Sequence, residues 1–149
     1  MTRTPPGTRA DYGAFQALQT RWNDNDEYGH MNNATYLELF DTAVSLWQME
    51  NGIVLRGPDA VRLLVVESGI RYHAEAGFPD RLHAGLRLGH LGKSSLRFEI
   101  GLFRNDDDTA CTEGFFTEVH TGPDGRPAPI PDDLRTVLAT LERPAAASG

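Results

Sequence analysis

The chain has 149 residues, of which 40% are hydrophobic and 23% charged, and its formal net charge at pH 7 is −7. This length and composition fit one globular domain, and the scattered basic residues argue against a nucleic-acid partner, which needs a concentrated basic face. The single cysteine, Cys111, excludes an intrachain disulfide and a cysteine zinc site, and we expect it to be a small core residue.

Residues 1–10 contain Thr, Pro, Gly and Arg and offer little to pack, so we expect a flexible leader. The start of the chain lacks the apolar core of a signal peptide, and no run approaches the roughly 18 apolar residues of a membrane span. A cytoplasmic location is therefore the default expectation. Residues 11–143 contain no linker or repeat and form one predicted domain, and residues 144–149, PAAASG, are expected to be a disordered tail.

Residues 14–22 lean towards alternation and predict a first strand, followed by a polar, turn-rich stretch over residues 23–33. Asn32 or Asn33 is a suitable N-cap for a helix of about 17 residues that ends at Asn51-Gly52. Six apolar residues recur at spacings of three and four and predict one buried helical face. They are Tyr36, Leu37, Phe40, Ala43, Val44 and Trp47.

Four segments after this helix show partial alternation of apolar residues and predict strands. They are residues 62–73, 83–91, 94–104 and 109–120. The short turns between consecutive strands favour antiparallel pairing, and residues 131–141 predict a short closing helix. One apolar-faced helix beside an antiparallel sheet is typical of a two-layer α+β domain.

The polar stretch before the long helix holds the residues best suited to chemistry. Asp24 and Asp26 are two residues apart, so in an extended segment both point to one face. The free amides at the start of the helix could stabilise an oxyanion on a substrate carbonyl, while a carboxylate acts as base or nucleophile. On the residues alone, a polar capping loop whose aspartates bind backbone amides is the slightly favoured interpretation.

Other site types find little support in the sequence. His83 and His90 do not have a spacing that recommends a metal site, and no metal is expected. The chain contains no G-x-S-x-G elbow, and isolated glycines such as Gly85 do not make a phosphate loop.

Residues 21–41, RWNDNDEYGHMNNATYLELFD, resemble the signature of the 4-hydroxybenzoyl-CoA thioesterase family, a D-x-D-x-x-G-H-[VM]-N-N-x-x-Y-like pattern ahead of a long helix. The segments VVESGIRY, GKSS and GRPAPIP are similar to the family in order and spacing, so the resemblance covers roughly residues 14–142. It implies a hotdog fold, in which a five-stranded antiparallel sheet wraps a long central helix. It also implies a homodimer joined sheet edge to sheet edge, with active sites at the interface, and leaves a homotetramer open.

The resemblance further implies an acyl-CoA thioesterase that hydrolyses a thioester to a free acid and coenzyme A. The catalytic carboxylate falls on Asp26, the amide that polarises the carbonyl falls on Asn33, and Gly29 matches a glycine where a side chain would obstruct the thioester. Coenzyme A is part of the substrate, and no separate cofactor is expected. The expected substrate-binding residues are Asp24, His30, Tyr36, Glu67, Ser68, Lys93, Ser94, Ser95 and Arg126, with Arg71 and Arg104 as weaker candidates for the phosphates.

Two mechanisms and three other functions stay open at this point. Asp26 could attack the carbonyl itself or activate water as a general base, and Asp24 is the competing carboxylate. The other functions are hydrolysis of acyl-carrier-protein thioesters, a hotdog hydratase or dehydratase, and a non-catalytic acyl-CoA-binding protein. The negative net charge slightly disfavours an acidic carrier protein, and the motif fits thioesterases better than hydratases.

Overall fold

The computed structural model of the chain describes residues 4–142. In chain order the elements are β1 (Ala14–Gln19), α1 (Asn33–Glu50), β2 (Leu63–Tyr72), β3 (Arg81–Leu91), β4 (Ser95–Arg104), β5 (Thr112–His120) and α2 (Asp132–Ala139). The strands form one sheet in the order β1-β3-β4-β5-β2, and each neighbouring pair is antiparallel. One long helix against a five-stranded antiparallel sheet confirms the predicted α+β hotdog fold.

Helix α1 begins and ends where its flanking residues predict. The side chain of Asn32 accepts a hydrogen bond from the amide of Ala34 at 2.9 Å and so caps the first turn. Gly52, with φ 77°, follows the C-cap Asn51 in the left-handed conformation that glycine tolerates best. Five of the six predicted apolar residues are buried, but Leu37 is 38% exposed because it lies at the margin of that face.

The core lies between α1 and the inner face of the central strands. Alternate residues of β3 and β4 point towards the helix and are almost fully buried. Phe40 of α1 packs directly on β5, since a Cβ at Gly114 would lie 2.5 Å from its ring. Trp47 meets Phe98 with ring centroids 6.2 Å apart. This close approach depends on the glycine and fixes the height of the helix above the sheet.

Several element ends differ from the sequence prediction. Strand β1 ends at Gln19 rather than residue 22, because Trp22–Asp24 turns into a short 3₁₀ helix. Residues 7–9, placed in the predicted leader, instead lie against the sheet end: Gly7 accepts the amide of Ala110 at 2.9 Å, and the amide of Arg9 donates to Asp108 at 3.1 Å. The predicted tail, residues 144–149, lies outside the described residues.

Strand β2 forms an open edge of the sheet. Within residues 4–142 it pairs with β5 alone, and its register slips between Val65 and Glu67 in a β-bulge. Leu64, Val65 and Val66 of this strand are 54%, 49% and 61% exposed. An apolar edge with unpaired backbone groups is suited to pairing with another strand.

No helix among residues 4–142 combines the length and apolar character that a bilayer crossing requires.

Glu118 is an unusual charge-bearing residue in this fold, since it is 7% exposed and lies on the inner face of β5. It stands between Leu96 of β4 and Val65 of β2. Its Oε2 atom has no hydrogen-bond partner among the described residues. Burial, with a smaller contribution from the charge of Asp41, raises the pKa of Glu118 to about 8.

We expect Glu118→Gln to stabilise the protein at neutral and alkaline pH. The folded-state pKa lies above the unfolded value, so wild type loses stability as pH rises from about 4.5 to about 8. The advantage of the variant should be absent near pH 4, reach roughly a few kcal/mol by pH 8 and then level off. Denaturant unfolding across this range measures it, and parallel curves for the two proteins would contradict it.

Candidate functional site

A cleft of about 320 Å³ lies where the loop before α1 meets the segment that follows β2. Four residues predicted for the site line it together: Asp26, His30, Asn33 and Tyr36. The opposite wall consists of residues 72–75 at the end of β2. The structure therefore brings the start of the helix, the predicted carboxylate and the sheet edge to one place.

The carboxylate of Asp26 is held by its own loop through one oxygen. Oδ1 accepts the amides of Tyr28 at 2.9 Å and His30 at 3.2 Å. The backbone closes the same turn, because the Asp26 amide donates to the carbonyl of His30 at 2.6 Å. Oδ2 accepts no hydrogen bond from residues 4–142. One oxygen thus orients the group and the other is available to a ligand or water.

The start of α1 supplies an electrophilic pole beside this carboxylate. Asn33 is the first helical residue, and its backbone amide has no acceptor within the described chain. Unpaired amides in the first turn and the helix dipole both favour negative charge at that point. An amide in this position can donate to a carbonyl oxygen as charge develops on it.

Asp24 has a different environment from Asp26, because it is 3% exposed and bound within the loop. Its carboxylate accepts the amide of Arg21 at 2.8 Å and pairs with the Arg21 guanidinium at 2.8 Å. Its carbonyl accepts the amide of Asn32 at 2.9 Å. Burial alone would raise the pKa of Asp24, but the hydrogen bonds and charge of Arg21 lower it overall. Asp24 thus joins the start of the loop to the helix cap.

A second set of contacts holds the loop against the segment after β2. The amide of Met31 donates to the carbonyl of Ala76 at 3.0 Å, and the amide of Ala76 donates to the Tyr36 hydroxyl at 3.1 Å. The side chain of Asn25 accepts the amide of Phe78 at 2.9 Å. Tyr36 is buried, and its ring meets that of Tyr72 edge-on at 5.2 Å. These contacts fix the width of the cleft.

Sequence reasoning missed most of the wall formed by residues 72–75. Glu75 is the most notable of them, since its Oε2 lies 2.8 Å from Nε2 of His30. Tyr72 and His73 also line the cleft. Because these residues are 46 to 49 positions from Asp26 in the sequence, no local spacing signals their contact with the loop.

Gly29 lies at the tip of the loop with φ 79°. A Cβ there would meet no protein atom within 4 Å, so within the chain the glycine is required by its backbone conformation. The predicted obstruction of a thioester by a side chain at this position stays a prediction.

Glu67 and Ser68 do not line this cleft in the single chain. Successive residues of a strand face opposite sides, and their register partners are Thr117 on the outer face and Phe116 on the buried inner face. Glu67 therefore points away from α1 and Ser68 towards it. The two residues cannot act side by side on one ligand from this strand.

The turn of Lys93, Ser94 and Ser95 lies at the far end of the sheet from Asp26. The carbonyl of Ser94 accepts the amide of His120 at 2.7 Å, at the end of β5. Thr112, at the other end of β5, is opposite Tyr72 of the cleft. The two ends are roughly 26 Å apart at about 3.3 Å per residue. Arg126 is exposed in the loop after β5, on the same side as the turn, so one chain does not bring these residues to Asp26.

Within residues 4–142, no group of three or more His, Cys, Asp or Glu side chains is arranged to hold a metal ion. Cys111 is buried, as expected of a core residue, and burial raises the pKa of its thiol. The cleft itself contains the accessible carboxylate of Asp26 and the amide of Asn33, which has no acceptor among the described residues.

Comparisons with known proteins place the chain in a family. Residues 20–138 match the family model described as the thioesterase-like superfamily. The PA5185 protein of Pseudomonas aeruginosa strain PAO1 is 43% identical, with a TM-score of 0.88 over 95% of this chain and 99% of its own. The PA2801 protein of Pseudomonas aeruginosa, named as a candidate thioesterase, is 30% identical, with a TM-score of 0.78 over 85% of this chain and 98% of its own.

A thioesterase of Thermus thermophilus, solved in complex with coenzyme A and zinc, is 27% identical, with a TM-score of 0.72 over 91% of this chain and 98% of its own. A search of curated proteins returns no match. The narrower resemblance to 4-hydroxybenzoyl-CoA thioesterases stays a prediction.

We expect Asp24→Asn to lower the free energy of unfolding by about 2 kcal/mol, since it weakens charge-assisted bonds to a buried group. The pKa of Asp24 is lower in the folded state, so this stabilisation should be present above about pH 4 and vanish as pH falls further. Denaturant unfolding measures it, with the exposed Asp26→Asn as the matched control. Equal stability losses in both variants would contradict the anchoring role.

Proposed function

Because the chain belongs to the thioesterase-like superfamily of thioester hydrolases, we propose that its substrate is an acyl-coenzyme A, cleaved to a free acid and coenzyme A. The observation that carries this proposal is the meeting of two groups in one cleft, Oδ2 of Asp26 and the backbone amide of Asn33. Neither has a hydrogen-bond partner within residues 4–142. Acyl transfer needs both a nucleophile or base and a donor for the developing oxyanion.

In the proposed reaction the thioester carbonyl lies between these two groups. The Asn33 amide donates to the carbonyl oxygen and stabilises its negative charge in the transition state. Asp26 either attacks the carbonyl carbon to form an anhydride, which water then hydrolyses, or takes a proton from an attacking water. In both routes coenzyme A leaves as the thiolate and takes up a proton. Oδ1 of Asp26, fixed by two amides, keeps Oδ2 directed at the reacting atom.

We further propose that the complete site forms between two copies of the chain. The exposed apolar edge of β2 is suited to pairing with the same strand of a second copy. A two-fold antiparallel pairing reverses one sheet relative to the other, so the Lys93–Ser95 end of one copy would approach the Asp26 cleft of its partner. This arrangement would also bring residues Glu67 and Ser68 to the interface.

Contact with coenzyme A is proposed for the turn residues on chemical grounds. Lys93 carries a point charge suited to phosphate, and the hydroxyls of Ser94 and Ser95 can donate hydrogen bonds. Arg126 is exposed in the neighbouring loop and could add a second cation. The coenzyme A complex of the Thermus thermophilus thioesterase supports this class of ligand.

Asp26→Asn should abolish thioester hydrolysis while leaving the fold intact, because the change keeps the shape of the side chain and removes its basic and nucleophilic character. Thiol release from a panel of acyl-coenzyme A substrates measures turnover, and unfolding curves check the fold. If Asp26→Asn stays near wild-type activity, Asp26 is not the working carboxylate, and an inactive Asp24→Asn that keeps the wild-type unfolding curve would assign that role to Asp24. If neither change matters and no substrate is hydrolysed, a non-catalytic acyl-CoA-binding protein replaces the enzyme.

A mixing experiment tests the shared site. Asp26→Asn and Lys93→Glu are each expected to be weak or inactive alone, but a mixed dimer would carry one intact site. Random pairing should restore about one quarter of wild-type turnover, since half of the dimers contain one intact site each. Mixtures that never exceed the sum of the two separate variants would contradict a site built from both copies.

A further inference from the structure

A second and larger cleft, about 590 Å³, lies on the sheet face that points away from α1. Its floor is formed by outward-facing residues of the strands, and residues 4–7 form one wall. Asp26 and Asn33 belong to the other cleft, on the helix side of the sheet. The proposed thioester chemistry makes no use of this outer cleft.

Arg97 lines the outer cleft in a fixed orientation. Its guanidinium lies 3.8 Å from the centre of the Phe115 ring, and Nε donates to Oε2 of Glu99 at 3.0 Å. The ring of Phe115 in turn lies over Gly69, where a Cβ would be 2.6 Å from a ring atom. The two terminal nitrogens of Arg97 have no acceptor among the described residues. A guanidinium held by stacking and one ion pair loses little freedom when it binds a ligand.

Arg71 of β2 lines the same cleft with a free charge. Its guanidinium has no hydrogen-bond or ion-pair partner within residues 4–142. The acid directly opposite it in the sheet, Glu113, is occupied by other donors. These donors are the amide of Gly7 at 3.2 Å, the hydroxyl of Tyr12 at 3.0 Å and Nε2 of His73 at 2.9 Å.

The remaining acids of the cleft are satisfied as well. Glu99 accepts from Arg87 at 2.8 Å as well as from Arg97, and these contacts lower its pKa against the opposing effect of burial. Asp11 accepts the amide of Thr8 at 2.8 Å. The acidic groups are thus paired within the chain, whereas Arg71 and Arg97 retain unused donors. Arg97 of β4 and Arg71 of β2 extend from the strands on either side of β5, and both line the cleft together with Phe115.

We infer that the outer cleft is an anion-binding site, in which Arg71 and Arg97 hold a doubly charged group such as a phosphate. Phosphate offers several acceptor oxygens to two guanidinium groups and gains charge-assisted hydrogen bonds from both. The phosphate could be free or part of a larger molecule, including coenzyme A, since the recognising chemistry is the same. The inference stands on the outer cleft alone and does not require the proposed hydrolysis.

The test is a titration of the intact protein with inorganic phosphate at constant ionic strength, followed by nuclear magnetic resonance of backbone amides and arginine Nε–H groups. We expect the largest shifts at residues of the outer cleft, including Gly69 and Phe115, whatever smaller shifts occur at the Lys93–Ser95 turn. Arg97→Met and Arg71→Met should each weaken binding about tenfold or more. Arg56→Gln, which removes an exposed cation outside the cleft, should bind like wild type, and so should Asp26→Asn.

Arg71→Met is expected to fold like wild type, because the Arg71 guanidinium makes no hydrogen bond or ion pair within the described residues. A loss of phosphate binding in this variant therefore reports on the site and not on unfolding. Titration with coenzyme A and with pantetheine, which lacks the phosphates, identifies the source of the anion. Shifts in the outer cleft with coenzyme A but not pantetheine assign the phosphate to coenzyme A, and shifts with inorganic phosphate alone assign a separate ligand. Equal binding in wild type and both arginine variants would overturn the inference. The inference would also be overturned if wild type bound no phosphate and the arginine variants changed in particle mass. The outer cleft would then be a contact between copies of the chain.

Discussion

The buried carboxylate of Asp24 is the contact on which the candidate site depends. It folds the chain back on Arg21, while its own carbonyl receives the amide of Asn32, the residue that caps α1. Since the loop is closed at both ends, Asp26 has little freedom to leave the start of the helix. The two aspartates of the motif therefore differ in role. Asp24 is buried and holds the loop in place, whereas Asp26 is exposed and its Oδ2 atom has no hydrogen-bond partner among residues 4–142.

The contacts of this loop explain how an exposed segment can keep the Asp26 carboxylate in a fixed position. Loops carry function when a rigid scaffold positions them, and here the scaffold contributes twice. Helix α1 fixes one end of the loop through its cap, and the segment after β2 fixes the middle through Ala76 and Phe78. The sheet is packed closely against the helix through Phe40 and Gly114, so both supports belong to one scaffold.

Much of the fold could be predicted because its signals are local. The spacing of apolar residues located α1, and Asn32 and Gly52 set its limits, since capping and left-handed backbone are properties of single residues. Contacts between distant segments could not be predicted in the same way. The wall at Tyr72 to Glu75 depends on where the end of β2 lies relative to the loop, which sequence spacing does not encode. The packing of residues 7–9 against the turn after β4 was missed for the same reason.

The contact between Phe40 and Gly114 bears on which acyl groups the proposed site could accept. The Phe40 ring lies where a side chain at position 114 of β5 would be, and the space between α1 and the central strands is filled with buried side chains. If an acyl group binds at the start of α1 as proposed, its tail would extend along the surface of the helix and the proposed interface with a second copy, because the core side chains beneath the helix are closely packed. The permitted length of the fatty or aromatic tail would then be governed by surface residues such as Leu37, which can change without disturbing the core.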